Sequence, residues 1–97
     1  MYGLIGRIKA VAGKRGELAA VLVQDGGMPG CLSYVVAEDP ADADALWVTE
    51  VWVDQAAHRA SLSLPAVQAA IAKGRPLIAG FDSRVETNVL GGIGLGR

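Results

Sequence analysis

The sequence predicts an α+β domain in which a four-stranded antiparallel sheet carries helices over one face, in the order β-α-β-β-α-β. Three observations carry that prediction. Four segments alternate in side-chain character with a period of two, helical patterns fall after the first and third of them, and glycine, proline and aspartate clusters punctuate the junctions. At 97 residues the chain has the length of one domain, near the lower end of what buries a self-sufficient core. A second domain is not expected.

Tyr2 to Ala10 alternates Tyr2, Leu4, Gly6 and Ile8 against Ile5, Arg7 and Lys9, the pattern of a first strand. Gly13 marks the turn that follows. From Lys14 to Gln24, Leu18, Val21 and Leu22 recur at three and four residues, which gathers them on one face of a helix. The run Asp25 to Gly30, DGGMPG, stops that helix. A second strand over Cys31–Ala37 sets Leu32, Tyr34 and Val36 against Cys31, Ser33, Val35 and Ala37.

The polar connection EDPADAD leads to a third strand from about Leu46 to Val53, with faces Leu46, Val48, Glu50, Trp52 and Trp47, Thr49, Val51, Val53. Asp54 is a good N-cap, since its carboxylate can accept from the free amides of a first helical turn, and it predicts a short helix over Gln55–Leu62. Another helix starts at Ser63 and Pro65, because the missing N–H of proline costs nothing at that position. Its inner face takes Val67, Ala70 and Ile71, and Gly74 and Pro76 end it. Phe81 to Val89 then alternates Phe81, Ser83, Val85, Thr87 and Val89 with polar residues, as an edge strand wet on one side does.

This order is the ferredoxin-like arrangement, with the second helix broken in two. Strands two and three are apolar on both faces, so helices on one side leave Trp47, Val51 and Val35 over the other as a patch large enough for an interface. A homodimer joined through the open sheet faces, a dimeric α+β barrel, is the expected assembly. The domain is expected to occupy residues 1–90, with a glycine-rich tail over 91–97.

Composition narrows the function. Apolar residues at 52% and charged residues at 20% describe a globular chain. Nine Lys and Arg nearly balance ten Asp and Glu without forming a basic stripe, which disfavours nucleic acid as a partner. No stretch approaches the roughly 20 apolar residues that span a bilayer, so no membrane role is expected. The start of the chain lacks the pattern of a signal peptide and Cys31 is alone, which makes a soluble cytoplasmic protein the default expectation. Asp39, Asp42 and Asp44 lack the spacing and glycine of a calcium loop, and Gly92 to Gly96 is not followed by the helix that a phosphate-cradling loop requires.

Three pieces of sequence are familiar: Gly13-Lys14 after the first strand, Pro29-Gly30-Cys31-Leu32-Ser33-Tyr34 opening the second, and Glu50-Val51-Trp52-Val53-Asp54-Gln55-Ala56-Ala57 closing the third. With these in this order the chain resembles the antibiotic biosynthesis monooxygenase domain family over roughly residues 2 to 89. The resemblance implies small dimeric ferredoxin-like proteins, among them quinol and anthrone oxygenases that use no cofactor. There are departures. Ala60-Ser61 and Leu64-Pro65-Ala66-Val67 stand where many members have an Ala-His pair and a Ser-Pro-His-Val stretch, so both histidines are missing. Haem-degrading relatives similarly have a tryptophan near position 61 and a histidine near position 71, here Ser61 and Ile71, which leaves haem without its expected ligand.

Candidate site residues follow from strand parity and from the resemblance together. Glu50 and Trp52 project to one face of the third strand, which the resemblance makes the cavity face. A buried Glu50 must be paired or hold its proton more tightly, a condition suited to proton transfer; the plainer alternative is an ion pair with Arg7 or Arg59 at the rim. His58, the one histidine, lies a turn into the helix after Asp54 and is the second candidate for proton handling. Trp52 would stack on a planar ring, Tyr34 would donate to a substrate oxygen, and Arg7, Arg59 and Asn88 would hold an anionic oxygen. Each of these also has an ordinary packing or surface reading. The expected function is a cofactor-free, metal-free monooxygenase taking an aromatic or quinol-like substrate and dioxygen. The alternatives are a dimeric small-molecule-binding or stress-related protein without turnover, and a relative that acts on small carbonyl compounds without oxygen.

Overall fold

The computed structural model describes residues 1–23 and 27–95. Four strands and three helices follow in the expected order: β1 (Tyr2–Ala10), α1 (Arg15–Leu22), β2 (Cys31–Glu38), β3 (Ala45–Trp52), α2 (Gln55–Ser61), α3 (Pro65–Gly74) and β4 (Ile78–Asn88). The strands form one antiparallel sheet in the spatial order β2-β3-β1-β4. This is the ferredoxin-like arrangement, with β2 and β4 at the edges.

Local chemistry sets the element ends. Gly13 takes a φ of 79° in the turn after β1, a backbone region that glycine enters without steric cost. Lys14 begins α1 without a side-chain cap, and Val23 is already extended, so α1 is shorter than the periodicity suggested; Gln24, Asp25 and Gly26 lie outside the described residues. Asp54 caps α2 as expected, its carboxylate accepting from the Ala57 amide at 2.7 Å. The break between α2 and α3 is a tight turn in which Ser63 and Leu64 amides donate to the Ala60 and Ser61 carbonyls before Pro65 starts the next helix. Gly30, with φ 81°, brings the start of β2 against α2: a Cβ there would lie 2.6 Å from that of Ala57.

Two departures from simple alternation change which residues share a face. β4 starts at Ile78, three residues before the expected Phe81, after a single 3-10 turn over Arg75–Leu77. It pairs with β1 through two register shifts, one after Arg7 and one after Lys9, and Gly80 lies within this irregular stretch. In β2 a shift between Cys31 and Ser33 pairs Cys31 with Trp52 and Ser33 with Val51. Cys31 therefore shares the face of Trp52, not the face of Ser33 and Val35 that strict alternation assigned to it.

The helix-side face of the sheet carries Leu4, Ile8, Leu46, Val48 and Trp52, all buried. Leu18 of α1, wholly buried, packs with Ile8, Ala10, Leu46 and Val48 into the core, and Tyr34, Val36 and Ile78 close around it. Among the described residues no element covers the other face of the sheet. There Val35, Thr49, Ile5 and Val85 form a continuous cross-strand row, flanked by a second row of Ser33, Val51, Gly3 and Thr87. Val35 and Val85 are 53% and 48% exposed, so this face keeps an apolar surface.

Candidate functional site

The α3 stripe facing the sheet consists of Val67, Ala70, Ile71 and Gly74, spaced at three, four and seven as a helix requires. Two of the four are small. These side chains do not fill the gap between α3 and the sheet, and a cavity of about 610 Å³ opens there. That volume lies in the range of small-molecule sites. Its floor is the helix-side face of the sheet at Ile8, Tyr34, Glu50 and Trp52; α2 contributes His58, Ser61 and Leu62, and the mouth is edged by Arg75 and Phe81.

Glu50 is the polar centre of the floor. Strand pairing puts it between Tyr34 of β2 and Leu4 of β1, and its side chain is 14% exposed. The Glu50 Oε1 accepts the indole N–H of Trp52 at 3.0 Å, and the His58 Nε2 lies 3.9 Å from the same oxygen. Neither Arg7 nor Arg59 is its partner. Burial raises the pKa of Glu50 above the ordinary carboxylate value; the Trp52 hydrogen bond, His58 and Arg84 pull the other way without cancelling it.

Because that carboxyl holds its proton more tightly in the folded chain than in the unfolded one, the stability associated with it is complete below about pH 4.3 and declines as pH rises through the raised folded-state pKa. A Glu50→Gln variant, which can still accept the Trp52 N–H, should accordingly gain melting temperature relative to the native chain as pH rises from 4 to 8. Paired thermal melts across that range check the sign. A relative loss toward pH 8 would mean that the ionised carboxylate is the favoured form.

His58 is held in place by its neighbours. Its ring meets Trp52 edge-on at a centroid distance of 5.3 Å and lies tilted over Tyr2 at 5.6 Å, while its backbone carbonyl accepts the buried Ser61 hydroxyl at 2.6 Å. Tyr2 is anchored in turn, its hydroxyl donating to Glu86 at 2.8 Å. The Tyr34 phenol is pushed up to about 12, first by burial and then by Glu50 and Cys31, so it is a proton-bearing donor at neutral pH. Its hydroxyl has no hydrogen-bond partner among the described residues, which leaves it free for a ligand.

Four sequence candidates, Glu50, Trp52, His58 and Tyr34, thus converge on one space; three others do not. Arg7 projects from the opposite face of the sheet, where it pairs with Asp39, Asp42 and Asp82 and lies 5.9 Å over the Trp47 ring. Parity dictates this, since Arg7 is odd in a strand whose even residues face the helices. Arg59 is exposed on α2 away from the cavity, and Asn88 edges a separate shallow depression beside Tyr2 and Gln55. Arg75, Phe81 and Met28 line the cavity without having been singled out in the sequence. Ser61 and Ile71, at the positions where haem-degrading relatives have tryptophan and histidine, also line it and supply no imidazole. Among the described residues no group of three or more His, Cys, Asp and Glu side chains is placed to hold a metal ion.

This geometry can be set beside known proteins. The family model for antibiotic biosynthesis monooxygenases matches residues 1–73, about three quarters of the chain. The chain belongs to the antibiotic biosynthesis monooxygenase family. A crystal structure of a Chloroflexus aurantiacus protein, provisionally named as such a monooxygenase, is 59% identical over 98% of each chain, with a TM-score of 0.95. A Deinococcus radiodurans protein with the same provisional name is 26% identical over 96% of each chain, with a TM-score of 0.75. No curated protein matches the chain. For this family member the match takes in all four convergent residues, Tyr34, Glu50, Trp52 and His58, and stops just before Arg75.

Proposed function

We propose that this member of the family is a monooxygenase that needs no cofactor and oxidises an electron-rich quinol, anthrone or similar aromatic compound with dioxygen. One observation carries the reading: a largely apolar cavity in which a buried carboxyl and an imidazole stand 3.9 Å apart beside an indole and an unpartnered phenol. His58, with Glu50 behind it, accepts the acidic proton of the substrate. The resulting carbanion or phenolate is electron-rich enough to pass an electron to dioxygen, and recombination places a peroxide on the ring carbon. Loss of water leaves a carbonyl there, so that a methylene and dioxygen become a ketone and water. Tyr34 donates to the developing oxyanion, and the apolar walls exclude bulk water. An ¹⁸O₂ experiment tests the step: one labelled oxygen should appear in the product carbonyl and the other in water. Label absent from the product defeats the proposal and favours a protein that binds its ligand without turnover.

The open sheet face supports a second part of the same reading, a homodimer joined across the rows Val35-Thr49-Ile5-Val85 and Ser33-Val51-Gly3-Thr87. A standard interface buries about 1,600 Å² in total, and a four-stranded face offers area of that order. Sedimentation at micromolar concentration should give a dimer, and Ile5→Glu should shift it to monomer. A folded native monomer at that concentration would contradict the assembly.

A further inference from the structure

Among the described residues the ion pairs leave few cationic side chains without a carboxylate partner. Arg7, Lys9, Lys14, Arg15 and Arg84 each have a carboxylate partner. The side chains of Arg59, Lys73 and Arg75 have none among the described residues. Of these three, Arg75 alone lines the cavity, at the point where α3 gives way to the 3-10 turn and leads into β4. The same cavity holds an acid at its floor, Glu50, and an exposed aromatic at its mouth, Phe81. A cavity lined by both a buried carboxyl and an arginine without a carboxylate partner among the described residues is polarised. It favours a ligand that is itself polarised, with a negative group kept away from Glu50.

From this we infer that Arg75 is a specificity-determining residue and that the ligand is an aromatic acid: a planar ring body bearing a carboxylate that the guanidinium pairs with at the cavity mouth. The ring then lies between the Phe81 side and the Trp52–His58 wall, with its oxygen toward the Tyr34 hydroxyl. Arginine suits the task because its planar fork of N–H donors matches a carboxylate in two-point contact and because it stays charged at any working pH. In the reverse orientation the ligand carboxylate would be buried beside the Glu50 carboxyl without the guanidinium as its partner. The inference rests on the cavity being the ligand site, as proposed above, and adds which class of aromatic compound it takes.

Isothermal titration with 1-naphthoate and its neutral isostere 1-naphthamide reads the preference directly. The native chain should bind the acid about tenfold more tightly than the amide, with the difference shrinking as salt is raised. Arg75→Gln should remove the preference while leaving the amide affinity unchanged; Arg75→Lys should keep part of it, and Arg59→Gln all of it. Equal binding of the two probes by the native chain overturns the assignment, as does a preference that survives Arg75→Gln or binding of neither probe. The titration needs no turnover, so the two proposals fail separately. Acid preference without oxygen consumption defeats the monooxygenase alone, whereas oxygen consumption without acid preference defeats the role of Arg75 alone.

Discussion

Replacing His58 by alanine is expected to lower substrate-dependent oxygen consumption by about 10²–10⁴-fold while ligand affinity stays nearly unchanged, the range that follows removal of a positioned proton acceptor. The expectation comes from placement. The imidazole lines the cavity, its Nε2 is 3.9 Å from the Glu50 carboxyl, and Trp52 and Tyr2 fix its ring from two sides. His58→Gln is the companion variant, since it fills more of the space and separates loss of a base from loss of packing. Melting curves close to native for both variants, together with the kinetic loss, would assign the effect to chemistry. Full activity in either would remove His58 from the mechanism.

Trp52→Ala should have the largest effect on the fold as well as on the site. The side chain is 1% exposed, and truncating a buried tryptophan costs about 3–5 kcal/mol, a large fraction of the stability of a domain this small. The substitution also takes the N–H donor from Glu50, and with it the largest influence that lowers the pKa of that carboxyl, so the pKa should rise further above its ordinary value. Trp52→Phe separates the two consequences. It keeps most of the buried ring but not the donor, and should lose much less melting temperature while still moving the alkaline limit of Glu50 titration upward, as followed by NMR of the labelled carboxyl carbon. An unshifted Glu50 in Trp52→Phe would show that the indole does not control it.

Much of this architecture was legible before folding because strand faces are written with a period of two. Alternation placed Glu50 and Trp52 on one face, which the family resemblance made the cavity side, and predicted the four-stranded sheet; Asp54 and Pro65 gave two helix starts through their own backbone chemistry. Where the pattern misled, a bulge was responsible. Cys31 changed face through the register shift before Ser33, and β4 ran on through Gly80 into residues that alternation left unassigned. Arg7 was open to the same parity argument that succeeded for Glu50, and its odd position already put it opposite Leu4 and Ile8. Arg75 left no comparable trace, for its importance depends on two facts of tertiary structure: it lines the cavity between α3 and the sheet, and among the described residues it has no carboxylate partner.

The roles of Gly74 and Ala70 illustrate the same limit from the side of packing. Both read as ordinary small helix residues, and Gly74 as a stop. In the fold Gly74 is buried where a Cβ would lie 3.6 Å from Leu18 and 3.7 Å from Val21, and it lies on the stripe that leaves the cavity open. The small residues of α3 thus leave space beside the sheet unfilled, and the chemistry comes from residues of other elements that line it.

The most direct measurement of the central claim is oxygen uptake by the chelator-treated protein with a panel of quinols and anthrones, neutral and carboxylated, followed with an oxygen electrode against autoxidation. The account predicts protein-dependent uptake for at least one aromatic compound of the panel, abolished in His58→Ala. Uptake no faster than autoxidation across the panel, or uptake that His58→Ala leaves intact, would contradict it.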